Sequence, residues 1–292
     1  LTLPPLAGLL LPLVIAVLMF GLGTTLTRGD FGAALRRPRA LICGLACQLL
    51  VLPVLCLALV VALRLPPELA VGMLLLAASP GGTTASLFSH LARGDVALNI
   101  TMTAVNTVLS VVTLPVVVNL ALAYFLPAEA GSAGLGPAEI VRLVLVILAP
   151  VAVGMAVRAR DAALARRLEP LIRALSVAFL ALIAVATVLH EGAQLVAQLG
   201  RVGAAAILFC LSSLALGYAV PRLCGVEGPR AVAVGMDVGI HNSALAVTIA
   251  LDPGMLGDPE IAIPAVVYAV ITVPCAALAV LLLTRRRQRV PV

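Results

Sequence analysis

Apolar residues run along this chain in long stretches, broken at intervals by charged residues or Gly/Pro clusters. Nine such stretches can be drawn, near 5–26, 40–63, 67–93, 96–126, 138–158, 171–190, 201–222, 229–251 and 260–284. Each reaches the ~20 residues that a helix needs to cross the hydrocarbon core of a bilayer. In lipid the backbone must satisfy its own polar groups, so the pattern predicts an all-α polytopic membrane protein. The first stretch is longer than the apolar part of a cleaved leader and has no basic residue before it. It therefore reads as the first span.

Two stretches are interrupted. Ser79-Pro80-Gly81-Gly82 splits 67–93, and Gly235 to Ser243 splits 229–251. Proline removes a backbone donor and glycine loosens the chain, so both helices should break inside the membrane. Each broken segment is followed by one last span of its set. The chain then divides into a first repeat, 1–126, with four spans and a second, 138–284, with five, before a basic tail at 285–292. The shared unit enters the membrane from opposite sides in the two halves. That is the inverted-repeat plan of secondary transporters, whose discontinuous helices meet near the midplane.

Composition agrees with the pattern. Of 292 residues, 62% are hydrophobic and 11% charged, with a mean hydropathy of +1.19. A soluble domain is nearer a quarter charged, and nucleic-acid-binding and disordered classes are excluded with it. All 19 basic residues are arginine, and alternating the loops places 16 of them on one side. The positive-inside rule makes that side the cytoplasm, with the N-terminus outside and the tail at Arg285–Arg289 inside the plasma membrane, a bacterial inner membrane. Six cysteines without CxxC spacing read as small core residues. No obligate protein partner is evident beyond the lipid bilayer.

Among 13 acids, only Asp237 falls within a span. An intramembrane carboxylate is costly and points to function. Asn99, Thr103, Asn106, Ser110 and Thr113 follow at helical spacing and share one face of the fourth span, while Gln48 stands mid-span in the second. Ser110 and Thr113 fit helix packing; the upper stripe fits ion or substrate contact equally well. Thr83 and Asn242 begin the second halves of the broken helices, where free N–H groups and positive dipole ends suit an anion. Oxygen donors around one carboxylate suit a small hard cation. Together they describe a cation-coupled carrier of a small organic anion. A proton-coupled carrier or exporter using Asp237 and His241 is the alternative. An intramembrane enzyme would have only the Asp237–His241 pair to work with, lacking a nucleophile or an HExxH motif, so the chain reads as no enzyme.

At these residues the chain resembles the bile acid:sodium symporter family. The likeness is carried by Ser79-Pro80-Gly81-Gly82-Thr83, by Leu91 to Leu98 running into Thr101-Met102-Thr103-Ala104-Val105, by Met19 to Gly23 with Leu26, and by Val238 to Ser243. The resemblance implies a core and a panel domain, and two broken helices crossing beside two Na⁺ sites, in the nine-helix form. It implies a first site of Ser86, Asn99, Thr103 and Asp237. A second would use Gln48, Asp237, His241 and the carbonyls of Val238 and Ile240. The chain departs from the family pattern in four places. Thr84-Ala85-Ser86 stands where Ala-Ser-Asn is usual, Asn99 replaces a serine, Asp237 a glutamate and His241 a glutamine. Thr272-Val273 stands where some bacterial members have a His-Asn pair lining the pocket, which makes Thr272 the third candidate substrate contact after Thr83 and Asn242. The implied cargo is a carboxylate or a bile-acid-like compound, carried by alternating access.

Overall fold

The computed structural model describes residues 7–27, 29, 32, 38–82, 84–127 and 134–288. Thr83, most of the Arg-rich 28–37 segment and tail residues 289–292 lie outside the described residues. Among the described residues ten helices follow in order: α1 Ala7–Thr25, α2 Pro38–Ala62, α3 Pro67–Ala78, α4 Ala85–Leu91, α5 Val96–Phe125, α6 Pro137–Arg160, α7 Ala162–Leu223, α8 Pro229–Gly239, α9 Ser243–Leu251 and α10 Pro259–Gln288. Proline opens α3, α6 and α8 where its missing N–H costs nothing. Asp95 caps α5 by accepting from Leu98 N at 3.1 Å, and Asp161 caps α7 through Ala163 N and Leu164 N, each at 2.9 Å.

Among the described residues, five segments are long and apolar enough to cross a bilayer: Pro38–Ala62, Val96–Phe125, Pro137–Arg160, Gly200–Leu223 and Pro259–Arg285. Large apolar side chains such as Leu50, Val112, Leu120, Val141 and Leu281 stand exposed on their outer faces. On a soluble protein that much exposed apolar surface would drive association; here it is the face offered to lipid. Both expected breaks occur. The first leaves 79–84 between α3 and α4, and the second leaves 240–242 between α8 and α9.

One expectation fails. A turn near 191–200 should separate the sixth and seventh spans, yet the backbone is helical from Ala162 to Leu223 without interruption. No proline stands between Pro170 and Pro221, so nothing in that stretch removes a donor. The path is nevertheless not straight. Val177 and Leu180 line the same cavity as His241, and the Phe209 ring centroid lies 5.1 Å from that of His241. Along a straight helix those residues would be roughly 40–50 Å apart. The helix therefore bends, giving a first limb near 162–181 and a second near 200–223. The basic tail, expected to begin at 285, starts as the last turn of α10.

α1 packs along α6, and Ile172 of the first limb of α7 lies against Gly21 of α1. The remaining helices, including the second limb, pack around α3, α5 and the broken pair α8–α9. Asp95 N donates to Pro229 O at 2.9 Å, which brings the turn after α4 against the start of α8.

Candidate functional site

The two breaks meet each other. Gly82 N donates to Ile240 O at 2.6 Å and Asn242 N to Pro80 O at 2.9 Å, forming an antiparallel bridge between Gly81 and His241. An unpaired backbone group in hydrocarbon costs several kcal/mol, so each break supplies the partners the other needs. The approach is close enough to require glycine. A Cβ on Gly81 would sit 2.5 Å from Asp237 Oδ1.

Asp237 lies in the last turn of α8, 1% exposed. The Thr103 hydroxyl of α5 donates to its Oδ1. The Asn99 carbonyl is also near Thr103 Oγ1, at 3.1 Å, but a hydroxyl has one proton and the carboxylate is the stronger acceptor. No arginine pairs with this acid among the described residues. Asn99 donates its amide to Ala233 O at 3.0 Å, which leaves Asn99 Oδ1 buried and unpartnered. Gln48 sits in a single π-helical turn of α2, Cys47–Val51, a distortion found often at functional positions. Its amide donates to Ser79 O at 3.0 Å, at the edge of the first break, and its Oε1 has no partner. Ser86 lines a small cleft together with Thr103 and Gly82. Val238 is buried in the last turn of α8, and the Ile240 carbonyl, accepting from Gly82 N, keeps one lone pair.

His241 is buried beside these groups, with no hydrogen bond to Asp237 among the described residues. Its Nδ1 lies 3.0 Å from Tyr268 Oη, which in turn donates to Gly239 O at 2.7 Å. The supposed Asp237–His241 dyad is therefore not formed. Asn106 is buried with both amide atoms unpartnered. Ser110 and Thr113 bond back to Thr107 O and Leu109 O of their own helix, as helix packing requires.

A cavity of about 320 Å³ opens beside the crossing. Val177, Leu180, Val266, Val270 and Val273 give it apolar walls, and Asn242, Ser243 and Thr272 bring polar groups. No charged side chain lines it among the described residues. Thr272 Oγ1 is buried and unpartnered. The start of α9 offers fewer free donors than its position suggests. Asn242 Oδ1 caps Leu245 N at 3.1 Å, Ser243 N donates to His241 O and Ala246 N to Asn242 O. Only the amide of Ala244 has no partner in that first turn among the described residues.

Residues 12–198 match the model of the Sodium Bile acid symporter family. The chain belongs to that family. The matched stretch contains the first break and the α5 stripe, and ends before the second limb of α7. A probable chloroplastic sodium/metabolite cotransporter of Arabidopsis thaliana, BASS1, is 28% identical over 88% of this chain and 62% of its own length. A sodium-dependent transporter of Bacillus subtilis, YocS, is 27% identical over 88% of the chain and 77% of its own. The human ileal sodium/bile acid cotransporter is 25% identical over 82% of the chain and 68% of its own. The chain thus spans about three fifths of the plant relative and about three quarters of the bacterial one. The family is one of sodium symporters, not of enzymes.

Sequence reasoning missed two features. Tyr268 stands one turn before Thr272 on the same face of α10, and only its phenol hydroxyl in an apolar span hinted at a role. The second is an ion pair. Arg142 of α6 lies 3.1 Å from Asp252, a 1% exposed acid just past α9. A Cβ on Gly254 would collide with that guanidinium. Arg142 was one of only three arginines on the arginine-poor side.

Proposed function

We propose that this chain is a Na⁺-coupled symporter of a small organic anion, working by alternating access. The observation that carries the reading is Asp237, a buried carboxylate held by a threonine hydroxyl and by no arginine among the described residues, where two broken helices cross. An isolated charge there is expensive, and a bound cation offsets the cost. The donors around it suit Na⁺, a small hard ion. The first site takes Asp237, Thr103, Asn99 and Ser86. The second takes Asp237, Gln48 Oε1, the carbonyls of Val238 and Ile240, and the ring of His241. Unpartnered oxygens on Asn99 and Gln48 support both assignments. The names of the relatives support Na⁺ as the coupling ion and a metabolite or bile acid as the kind of cargo.

The anion sits in the 320 Å³ cavity, its acid group toward Asn242, the Ala244 amide and Thr272, its body against the valines and Leu180. With no arginine or lysine in the walls, the group is anchored by amides and dipole ends. α1, α6 and the first limb of α7 act as the panel, and the crossed helices belong to the core. The Arg142–Asp252 pair ties the start of α6 to the end of α9, and the inverted repeats of this reading run over 1–126 and 138–284. The arginine bias supports a plasma-membrane orientation with the N-terminus outside. A proton-coupled carrier is the second reading, favoured by the imidazole of His241 at a cation position.

Uptake into proteoliposomes under an imposed Na⁺ gradient, or an imposed pH gradient, separates the two. Concentrative uptake of a carboxylate that follows Na⁺ and is lost in Asp237→Asn is the expected result. Uptake that ignores Na⁺ and follows the pH gradient establishes the proton-coupled carrier instead.

A further inference from the structure

Tyr268 is fully buried on α10, with its single hydroxyl between two groups. Gly239 O, 2.7 Å away, is a carbonyl and can only accept. Were the phenol proton directed at His241 Nδ1 instead, two oxygens would face each other at 2.7 Å with no proton between them. The proton therefore goes to Gly239 O, and the phenol oxygen must accept. Its donor is the Nδ1–H of His241, 3.0 Å away. A neutral imidazole carries one N–H, so Nε2 holds a lone pair. An imidazolium would instead bury a second N–H and a charge with no partner, since Nε2 has none among the described residues.

The ring is also fixed in orientation. Tyr268 meets it edge-on at 83° with centroids 5.5 Å apart, and Phe209 leans on it at 5.1 Å. The backbone of the same residue bridges Gly81, whose missing Cβ leaves room for Asp237. His241 and Asp237 thus belong to one crossing.

We infer that Tyr268 is a positioning residue: by holding His241 as the Nδ1–H tautomer it keeps the Nε2 lone pair available to a cation at the second site. This rests on the Na⁺ reading of that site. A histidine has two tautomers where a glutamine oxygen has none to choose between, and the wrong one presents an N–H to the cation. A hydrogen-bond partner on the far ring nitrogen removes that choice, and losing such a partner typically costs about 10–100-fold in metal affinity. Na⁺ binds loosely, so the low end, roughly tenfold, is the expected effect of Tyr268→Phe. The phenyl ring preserves the packing and deletes only the hydroxyl.

The chain has three histidines, so ¹⁵N-histidine NMR of the full chain in lipid nanodiscs resolves them, with His241→Gln identifying the resonance of His241. The wild type is expected to show Nδ1 protonated and Nε2 bare, with the Nε2 signal moving on Na⁺ titration. Tyr268→Phe should give mixed tautomers and a roughly tenfold higher half-saturating Na⁺ concentration. In a His241→Gln background the same substitution should change Na⁺ affinity little, whereas a purely structural role would carry over undiminished. A wild-type ring protonated on Nε2 overturns the inference, as does Tyr268→Phe leaving tautomer and affinity unchanged. If the tautomer is as stated but Na⁺ moves neither the Nε2 signal nor any binding curve, the cation role of Tyr268 is overturned together with the Na⁺ reading. If Na⁺ binds through Asp237 while Nε2 stays silent, only the role of Tyr268 is.

Discussion

Two aspartates flank α9, Asp237 before it and Asp252 after it, and both are almost wholly buried. Asp252 has what a buried acid needs. Arg142 sits 3.1 Å from it, and Gly254 N donates to Oδ1 at 2.9 Å. Asp237 has a threonine hydroxyl and, nearby, oxygens of Asn99 and Gln48 that lack partners. The first arrangement is complete and ties α6 to the end of α9. The second has one hydroxyl donor and no positive side chain among the described residues, and the neighbouring Asn99 and Gln48 oxygens are acceptors like itself. A fold that gives one acid a guanidinium and the other only oxygens has left room for a cation at the second. Burial alone does not mark a site; burial with an unmatched set of donors and acceptors does.

The largest contrast expected between the two acids is in transport. Asp237→Asn keeps the side chain's shape and one oxygen, so Na⁺-driven uptake should fall to background while the melting temperature changes little. Asp252→Asn should retain most uptake. If both variants lose uptake equally with their folds intact, the distinction between the two acids is lost.

Next in size is a stability effect on the other acid. Arg142→Ala leaves Asp252 buried without its cation. A fully buried pair would lose ~3–5 kcal/mol, but the guanidinium is 36% exposed, so about 2 kcal/mol is expected. Thermal unfolding in detergent measures it, and adding Asp252→Asn to Arg142→Ala should recover much of the loss. No recovery would mean that Arg142 acts through its packing against Gly254 rather than through charge.

The smallest expected contrast lies along one helix. Thr103→Val removes the hydroxyl that serves Asp237 and should raise the half-saturating Na⁺ concentration roughly tenfold, corresponding to about 1.5 kcal/mol, the low end for a hydrogen bond to a charged group. Thr113→Val removes one that bonds only to Leu109 O of its own helix, and should be within ~0.5 kcal/mol of neutral. Na⁺ titrations of uptake on the pair test whether the polar stripe of α5 is functional only in its upper half.

Much of this was legible in the sequence because it depends on local chemistry. Apolar run length fixed the class, and Ser79-Pro80-Gly81-Gly82 marked a break because proline and glycine act on the backbone where they stand. Asp237 stood out as an acid in an apolar span. Its partner Thr103 lies 134 residues away and was reached only through resemblance to a family. The Tyr268–His241–Gly239 chain and the Arg142–Asp252 pair were not legible, since nothing local to either residue announces the other. The unbroken helix through 191–200 was missed because glycines and a charged residue there read as a turn, while the surrounding Ala, Gln and Leu are good helix formers.

Direct Na⁺ binding to the purified chain, followed with radioactive ²²Na⁺ in the absence of any gradient or substrate, tests the central claim. Saturable binding is expected in the wild type and in Asp252→Asn, and none in Asp237→Asn. Binding that survives Asp237→Asn at wild-type strength, or that disappears with Asp252→Asn in a folded protein, would contradict it.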